Sequence, residues 1–304
     1  MQNIVWSGVK PAGDRQPERP DHQVMAAHVT AGGSPFDFVD RPAWFSYSAF
    51  DAFQRCPRQY ALRYLCRVPA DQVRPAAEFG TAAHAAFEAF TRQRRERLDR
   101  GDSPPTRADL GRFFESAWAA TSLPAEAGAA AWMARAEPML DRFWAAESGA
   151  SPDRGRTFGE ELRFRLRLPL DLGFVATVAG FVDRVDRLPS GRVELIDYKT
   201  GIESMPEDAG SSLQLSIYAL ACRDALGLGL PERVTFYFVE QDRRLSSDCT
   251  DAAMDGLRAG LADRARQIRG SSFVPTPSAR ACGWCDFAAM CSGSSYRSGT
   301  GSSG

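Results

Sequence analysis

Residues 1–42 show no regular recurrence of apolar positions and are rich in Pro, Gly, Asp and Arg, a pattern that predicts a flexible arm. From Ser46 the spacing turns helical, with Phe50, Phe53, Tyr60, Leu62 and Tyr64 on an apolar stripe and Ser46 or Ser48 as N-caps. Pro57 must break this helix or start a second segment, and Cys56 lies just before it. A helix over residues 78–98 places His84, Phe87 and Glu88 within one turn, and further helices are predicted over 107–120 and 128–147. Near Phe158 the period drops to two: Leu162, Phe164, Leu166 and Leu168 alternate with Arg and Glu as in a half-buried strand. Two strands, 174–188 and 192–200, flank Pro189-Ser190-Gly191 as an antiparallel hairpin. A helix over 210–226, a strand over 234–239, a helix over 250–269 and a disordered Ser/Gly tail over 292–304 complete the pattern. The prediction is an α/β protein with a helical first half and a mixed sheet flanked by helices.

The hairpin carries the first chemical consequence. If it closes through residues 189–191, Leu188 faces Arg192, and counting back puts Asp183 directly opposite Asp197. Opposed Cβ atoms lie about 4.5–5.5 Å apart, where like charges repel unless a cation stands between them. Period-two alternation sends Lys199 to the face of Asp197. Asp186 and Glu194 point to the other face, where Arg184 and Arg192 can pair with them. Two hard carboxylates with open coordination positions suit Mg²⁺ or Mn²⁺, ions that also bind phosphate. The pattern therefore points to phosphodiester hydrolysis, with the lysine orienting the attacking water or neutralising developing charge.

Composition sharpens the reading of Lys199. The chain has two lysines against 35 arginines, so a retained lysine marks a position where a compact ammonium is needed and a planar guanidinium fails. Histidine is as scarce, and of His22, His28 and His84 only the last lies outside the predicted arm. The net charge of −1 gives no overall electrostatic footprint for nucleic acid, so such binding must rest on local clusters, Arg92 to Arg100 or Arg163, Arg165 and Arg167. No apolar run reaches the roughly 18–20 residues that span a bilayer, and the basic-then-apolar order of a signal peptide is missing, so a cytoplasmic protein is expected.

Seven cysteines in a reducing compartment argue against disulfides, and three crowd together as Cys282-x2-Cys285-x5-Cys291. C-x2-C serves zinc and iron-sulfur sites alike. The deaminase signature is excluded, because it needs H-x-E and a proline before the cysteine pair, where Ala281 stands. Cys56, Cys66, Cys222 and Cys249 are the available fourth ligands.

Taken together, Gly80-Thr81-Ala82-Ala83-His84, Gly180-Phe181-Val182-Asp183-Arg184-Val185-Asp186, Ile196-Asp197-Tyr198-Lys199-Thr200-Gly201 and Gln214-Leu215-Ser216-Ile217-Tyr218-Ala219 resemble the PD-(D/E)XK nuclease superfamily in its RecB-like exonuclease branch. The resemblance covers about residues 46–291 and implies a restriction-endonuclease-like domain over 43–291, with a helical insertion over about 91–157. It implies His84, Asp183, Asp197 and the Tyr198 carbonyl as metal ligands, Lys199 as the catalytic lysine, and Gln214 and Tyr218 as DNA contacts. An iron-sulfur subset of that branch, including AddB-type and CRISPR-associated exonucleases, uses one early cysteine and three late ones. That implies a [4Fe-4S] cluster on Cys56, Cys282, Cys285 and Cys291, which would staple the two ends of the domain, with Cys66 as the substitute ligand.

The expected activity is a Mg²⁺- or Mn²⁺-dependent exonuclease on single-stranded or end-frayed DNA, in repair, recombination or CRISPR-type processing. The resemblance implies a helicase or CRISPR adaptation proteins as partners, and with no Walker-type loop in the chain any ATP-driven unwinding must come from such a partner. The competing classes are a catalytically silent DNA-end-binding or assembly subunit and a zinc-stabilised nucleic-acid-binding module.

Overall fold

The computed structural model describes residues 42–69, 74–121, 128–149, 155–201, 209–291 and 293, so the predicted arm and tail fall almost entirely outside the described residues. The first element, β1, is the two-residue strand Trp44–Phe45. Helix α1 (Tyr47–Arg55) follows, capped by Ser46, whose Oγ accepts from the Ala49 N–H at 3.2 Å. It ends at Cys56 because a residue before proline is pushed out of helical geometry; Cys56 sits at φ −165°, ψ 117°. Pro57 then opens α2 (Pro57–Tyr60), which runs into a π-helical turn over Ala61–Leu65.

Three longer helices come next: α3 (Pro75–Arg100), closed by left-handed Gly101, α4 (Arg107–Ala119), opened by a Thr106/Asp109 capping box, and α5 (Ala129–Ser148). Their apolar stripes, with Phe79, Phe87, Phe114 and Phe143, bury one face of the sheet through Ile196, Tyr198 and Tyr237. The remaining strands are β2 (Arg156–Pro169), β3 (Val175–Arg187), β4 (Val193–Lys199), β5 (Arg233–Phe238) and β6 (Arg243–Asp248). Helix α6 (Leu213–Asp224) lies between β4 and β5 in the chain, and α7 (Asp251–Gly270) and the short α8 (Ala279–Gly283) follow β6. Together α1, α6 and α7 cover the other face, over Phe164, Leu166, Leu195 and Phe238. The result is a mixed α/β fold with a central sheet between helical layers, as the sequence pattern predicts. Among the described residues no helix is long and apolar enough to cross a membrane.

The sheet runs β1-β3-β4-β5-β6, with β2 along the other edge of β3. β3 pairs antiparallel with β2 over its whole length, but with β4 only from Arg187↔Val193 to Arg184↔Ile196; further along, the same edge carries β1 in parallel, at Trp44↔Thr177. The turn closes as expected, with Leu188 N–H donating to the Arg192 carbonyl at 2.8 Å and Gly191 at φ 83°.

On the face away from Asp197, Arg184 is fully buried and forks onto Asp186 at 2.6 and 2.7 Å while reaching Glu147 of α5 at 2.7 Å. Glu194 does not pair with Arg192. The parallel register of β5 sets Arg233 beside it at 2.9 Å and the Thr235 hydroxyl at 2.6 Å, and Arg192 donates to the Pro231 carbonyl instead. Strand β6 was not expected from the pattern, because its Arg-Arg-Leu-Ser-Ser-Asp run is an edge strand with a single apolar residue.

Candidate active site

The site forms where β3 peels away from β4. Extending the β3–β4 register by one residue sets Asp183 opposite Asp197, but the backbone ladder has already stopped at Arg184↔Ile196. The Asp183 carboxylate takes over: Oδ2 accepts the Tyr198 backbone N–H at 2.9 Å. The same oxygen lies 3.2 Å from His84 Nδ1. His84 reaches it from α3, one turn after Gly80, where an added Cβ would come within 3.1 Å of Thr200 Oγ1. Gly80 therefore allows α3 to approach the end of β4.

Asp197 is 1% exposed. Its Oδ1 accepts from Gln214 Nε2 at 2.7 Å, and Lys199 Nζ stands 2.5 Å from Oδ2. Lys199 Nζ also donates to Gln214 Oε1 at 2.9 Å, and the Gln214 amide reaches the Tyr218 hydroxyl at 2.9 Å. Gln214 and Tyr218 lie one turn apart on α6, whose start is fixed by the Ser212 cap. Six predicted residues thus fall into two polar groups at one opening, Asp183 with His84 and Asp197 with Lys199, Gln214 and Tyr218, which act on each other through charge. The Tyr198 side chain turns to the opposite face, with its hydroxyl 3.4 Å from Arg184 Nη1.

Burial raises the Asp197 pKa to about 6, with the Asp183 charge adding to the shift and Lys199 pulling against it. Burial alone would lower the His84 pKa, but the hydrogen bond and charge of Asp183 outweigh it and hold the imidazole above its ordinary value. The Tyr218 hydroxyl is held protonated, first by burial and then by the Asp197 charge.

Glu161 is a site residue that sequence reasoning missed. It lies on β2 between the pairs Glu160↔Arg184 and Leu162↔Val182, across from Asp183, with φ at +49°. Its carboxyl pKa is raised by burial and by Asp183, while His84 and Arg92 oppose the shift. In the structure the buried positions on β2 are odd at Thr157 and Gly159 and even from Phe164 onward, so the alternation reverses across Glu160-Glu161, a break the residue pattern alone does not mark. Glu88, one turn from His84 on α3, accepts from Arg92.

Among the described residues, no three His, Cys, Asp or Glu side chains enclose a point ready for one metal ion. The donors at Asp183 and Asp197 nevertheless fit Mg²⁺ or Mn²⁺, which need one or two carboxylates and keep several waters. Asp197 Oδ2 is also buried without a hydrogen bond of acceptable geometry, despite the nearby ammonium.

A second group of candidate residues lies where the N-terminal helices meet the C-terminal residues. Cys56, Cys282, Cys285 and Cys291 line one small pocket together with Arg58 and Pro277. Burial would raise the Cys56 pKa, but the backbone N–H groups of Thr276, Gln59 and Arg58 outweigh it, and the thiol falls below its ordinary value. Cys285 is raised by burial, with Cys56 and Cys291 adding to the shift. Asp286 joins this end to the N-terminal helices by pairing with Arg63 and, at 2.7 Å, with Arg74. Cys66 lies elsewhere, in the core beneath the sheet, where burial pushes its pKa to about 11. Cys222 and Cys249 are also raised by burial, to about 12 and about 11.

The family model of the PD-(D/E)XK nuclease superfamily matches residues 44–292. No curated protein matches the chain. Similar solved structures include SSO0001, at 12% identity and a TM-score of 0.38, covering 89% of this chain and 92% of its own. Another is a candidate exonuclease from Eubacterium rectale, at 15% identity and a TM-score of 0.39, covering 77% of this chain and 84% of its own. At this distance neither likeness speaks to function.

Proposed function

Because the chain belongs to the PD-(D/E)XK nuclease superfamily, we propose that it is a metal-dependent DNA exonuclease acting on single-stranded or end-frayed DNA. The observation that carries this reading is the position of Lys199, one of two lysines in the chain, between Asp197 at 2.5 Å and Gln214 at 2.9 Å, beside the Asp183–His84 pair. Asp183, Asp197, His84 and the Tyr198 carbonyl would hold a Mg²⁺ or Mn²⁺ ion, with Glu161 as a further carboxylate. Such an ion, when bound, neutralises charge on a phosphate and lowers the pKa of water.

The protein's own groups account for the rest. Gln214 fixes Lys199 by accepting a hydrogen bond from its ammonium and fixes Asp197 by donating one to it, so ammonium and carboxylate keep a constant separation. Lys199 then offers its charge to the phosphate oxygens as negative charge develops there. Tyr218, held neutral, supplies a hydroxyl donor beside Gln214. The burial that raises Asp197 keeps bulk water from screening these interactions.

The reading includes an iron-sulfur cluster on Cys56, Cys282, Cys285 and Cys291, which line one pocket although among the described residues no three of them enclose a point ready for an ion; the N–H groups aimed at Cys56 favour the thiolate that a cluster needs. Its role is structural: it ties the α1–α2 junction to the residues after α7. The DNA substrate, the partner machinery and a cytoplasmic location belong to the same proposal.

The test is nuclease activity of anaerobically purified protein on end-labelled single- and double-stranded DNA with Mn²⁺, Mg²⁺ or EDTA, alongside Lys199→Ala. Metal-dependent shortening from an end, lost in the variant, is expected. Cleavage that persists in EDTA or survives the substitution rejects the reading.

A further inference from the structure

The half of the β2–β3 ribbon beyond the site has one face packed in the core and one face bare. Phe164, Leu166, Leu168, Ala176 and Val178 are buried beneath it. On the other face the register sets Arg163 opposite Phe181, Arg165 opposite Ala179 and Arg167 opposite Thr177, with Trp44 of β1 beside Thr177. All three arginines are exposed, as are Phe181 (48%) and Trp44 (51%).

Many of the chain's other arginines are engaged by carboxylates: Arg95 pairs with Glu160, Arg258 with Asp224 and Arg266 with Asp171. Among the described residues no carboxylate pairs with Arg163, Arg165 or Arg167. Arg165 instead lies over the Trp44 ring at 5.1 Å. Three arginines without a carboxylate partner and two half-exposed aromatic rings, one of them under Arg165, are poorly explained by solubility, since a stranded apolar ring opposes it.

We propose that this face is a track for a single strand of nucleic acid leading away from the site at Asp183. Residues two apart on one strand lie about 6.8 Å apart, twice the rise of about 3.4 Å. That suits the phosphates of an unstacked strand, spaced wider than the ~3.4 Å rise per nucleotide of a duplex strand. Phe181 and Trp44 offer faces on which bases can stack, which a duplex, with its bases already stacked, cannot use. The row begins at Arg163 and Phe181, two residues along their strands from Glu161 and Asp183 and just beyond the left-handed Glu161, where the alternation of β2 reverses. The proposal rests on the nuclease reading only for what happens at the end of the track; the binding itself does not depend on it.

The test uses the full chain carrying Lys199→Ala, with fluorescent oligo(dT) and a blunt duplex titrated across a salt series. Replacing Arg163, Arg165 and Arg167 together with Gln should reduce the slope of log affinity against log salt for oligo(dT) by about 2, three contacts at about 0.7 each. A triple Lys replacement should keep the slope. Phe181→Ala should weaken oligo(dT) binding by about 5- to 100-fold and leave duplex binding unchanged. An unchanged slope in the folded Gln variant overturns the track, as does equal weakening of oligo(dT) and duplex by Phe181→Ala. Nuclease assays on the unmutated protein are read separately. No cleavage there, with the slope change present, rejects the nuclease reading and keeps the track.

Discussion

The Asp183 carboxylate accepts the Tyr198 backbone N–H at 2.9 Å, two residues beyond the last β3–β4 pair at Arg184↔Ile196. A side chain thus replaces the backbone at the point where the strands part, and the opening holds the site. An amide oxygen can accept the same bond, so Asp183→Asn should fold with nearly unchanged stability yet lose about 10²-fold or more in nuclease rate. Asp183→Ala leaves a buried N–H without a partner and should also cost about 1–3 kcal/mol. Urea unfolding and end-labelled DNA cleavage on both variants separate the two effects, and equal stabilities for Asn and Ala would show that the bond to Tyr198 does not hold the strand.

Lys199 makes two close contacts through one small cation, 2.5 Å to Asp197 and 2.9 Å to Gln214. A guanidinium is planar and longer and cannot take the same place. Lys199→Arg should therefore lose about 10²–10³ in rate, as Lys199→Ala does, even though charge is conserved. Single-turnover cleavage at saturating DNA is the measurement. An Arg variant within a few-fold of the parent would mean that charge alone suffices and that the scarcity of lysine in this chain is incidental.

Much of this site could be read in the chain because strand pairing has only two parities. A three-residue turn at Pro189-Ser190-Gly191 determines which residues oppose one another, and from that Asp183, Asp197 and Lys199 fall on one face. Gln214 and Tyr218 follow from the helical period. Two features were hidden because they depend on backbone or tertiary detail. Arg233 displaces Arg192 as the partner of Glu194 through the parallel register of β5, which no local pattern encodes. Glu161 enters the site through a left-handed residue inside a strand, and period-two counting cannot anticipate it.

That left-handed geometry makes Glu161 a test of strain held for function. A non-glycine residue at φ +49° costs about 1–2 kcal/mol. Glu161→Gly should therefore be more stable than the parent by about 1 kcal/mol while losing the carboxylate. Glu161→Gln keeps the shape and should bind Mn²⁺ about 10- to 100-fold more weakly. Urea unfolding and Mn²⁺ titration of cleavage provide the two readouts. A Gln variant with parental Mn²⁺ dependence would remove Glu161 from the site.

The cysteines divide by location. Cys56 shares a cavity with Cys282, Cys285 and Cys291, whereas Cys66 packs under the sheet. Anaerobically purified protein should be brown, with absorbance near about 400 nm. Cys56→Ser should bleach it and lower the melting temperature, because the link between α1–α2 and the C-terminal residues is lost. Cys66→Ser should keep the colour and cost only the burial of a hydroxyl, about 1–3 kcal/mol. Colourless protein with one bound zinc per chain would replace the cluster by the zinc alternative.

Asp197 links the site to pH through its burial. Its folded-state pKa is raised from 3.8 to about 6, chiefly by desolvation, so between those values the folded protein holds a proton that the unfolded chain has released. The sign follows from linkage: the stabilisation from this group is complete below about pH 4 and is lost as pH rises through 6. A shift of this size corresponds to roughly 3 kcal/mol. Other groups titrate over the same range, so the informative quantity is the stability of metal-free protein minus that of metal-free Asp197→Asn, from urea unfolding at pH 4, 5, 6 and 7. That difference should fall by up to about 3 kcal/mol from pH 4 to 7, and Mn²⁺ added to the parent at pH 7 should restore much of it, because a cation offsets the buried charge. A difference that stays flat would place Asp197 in contact with solvent and leave Lys199 without the low-dielectric setting on which its proposed role depends.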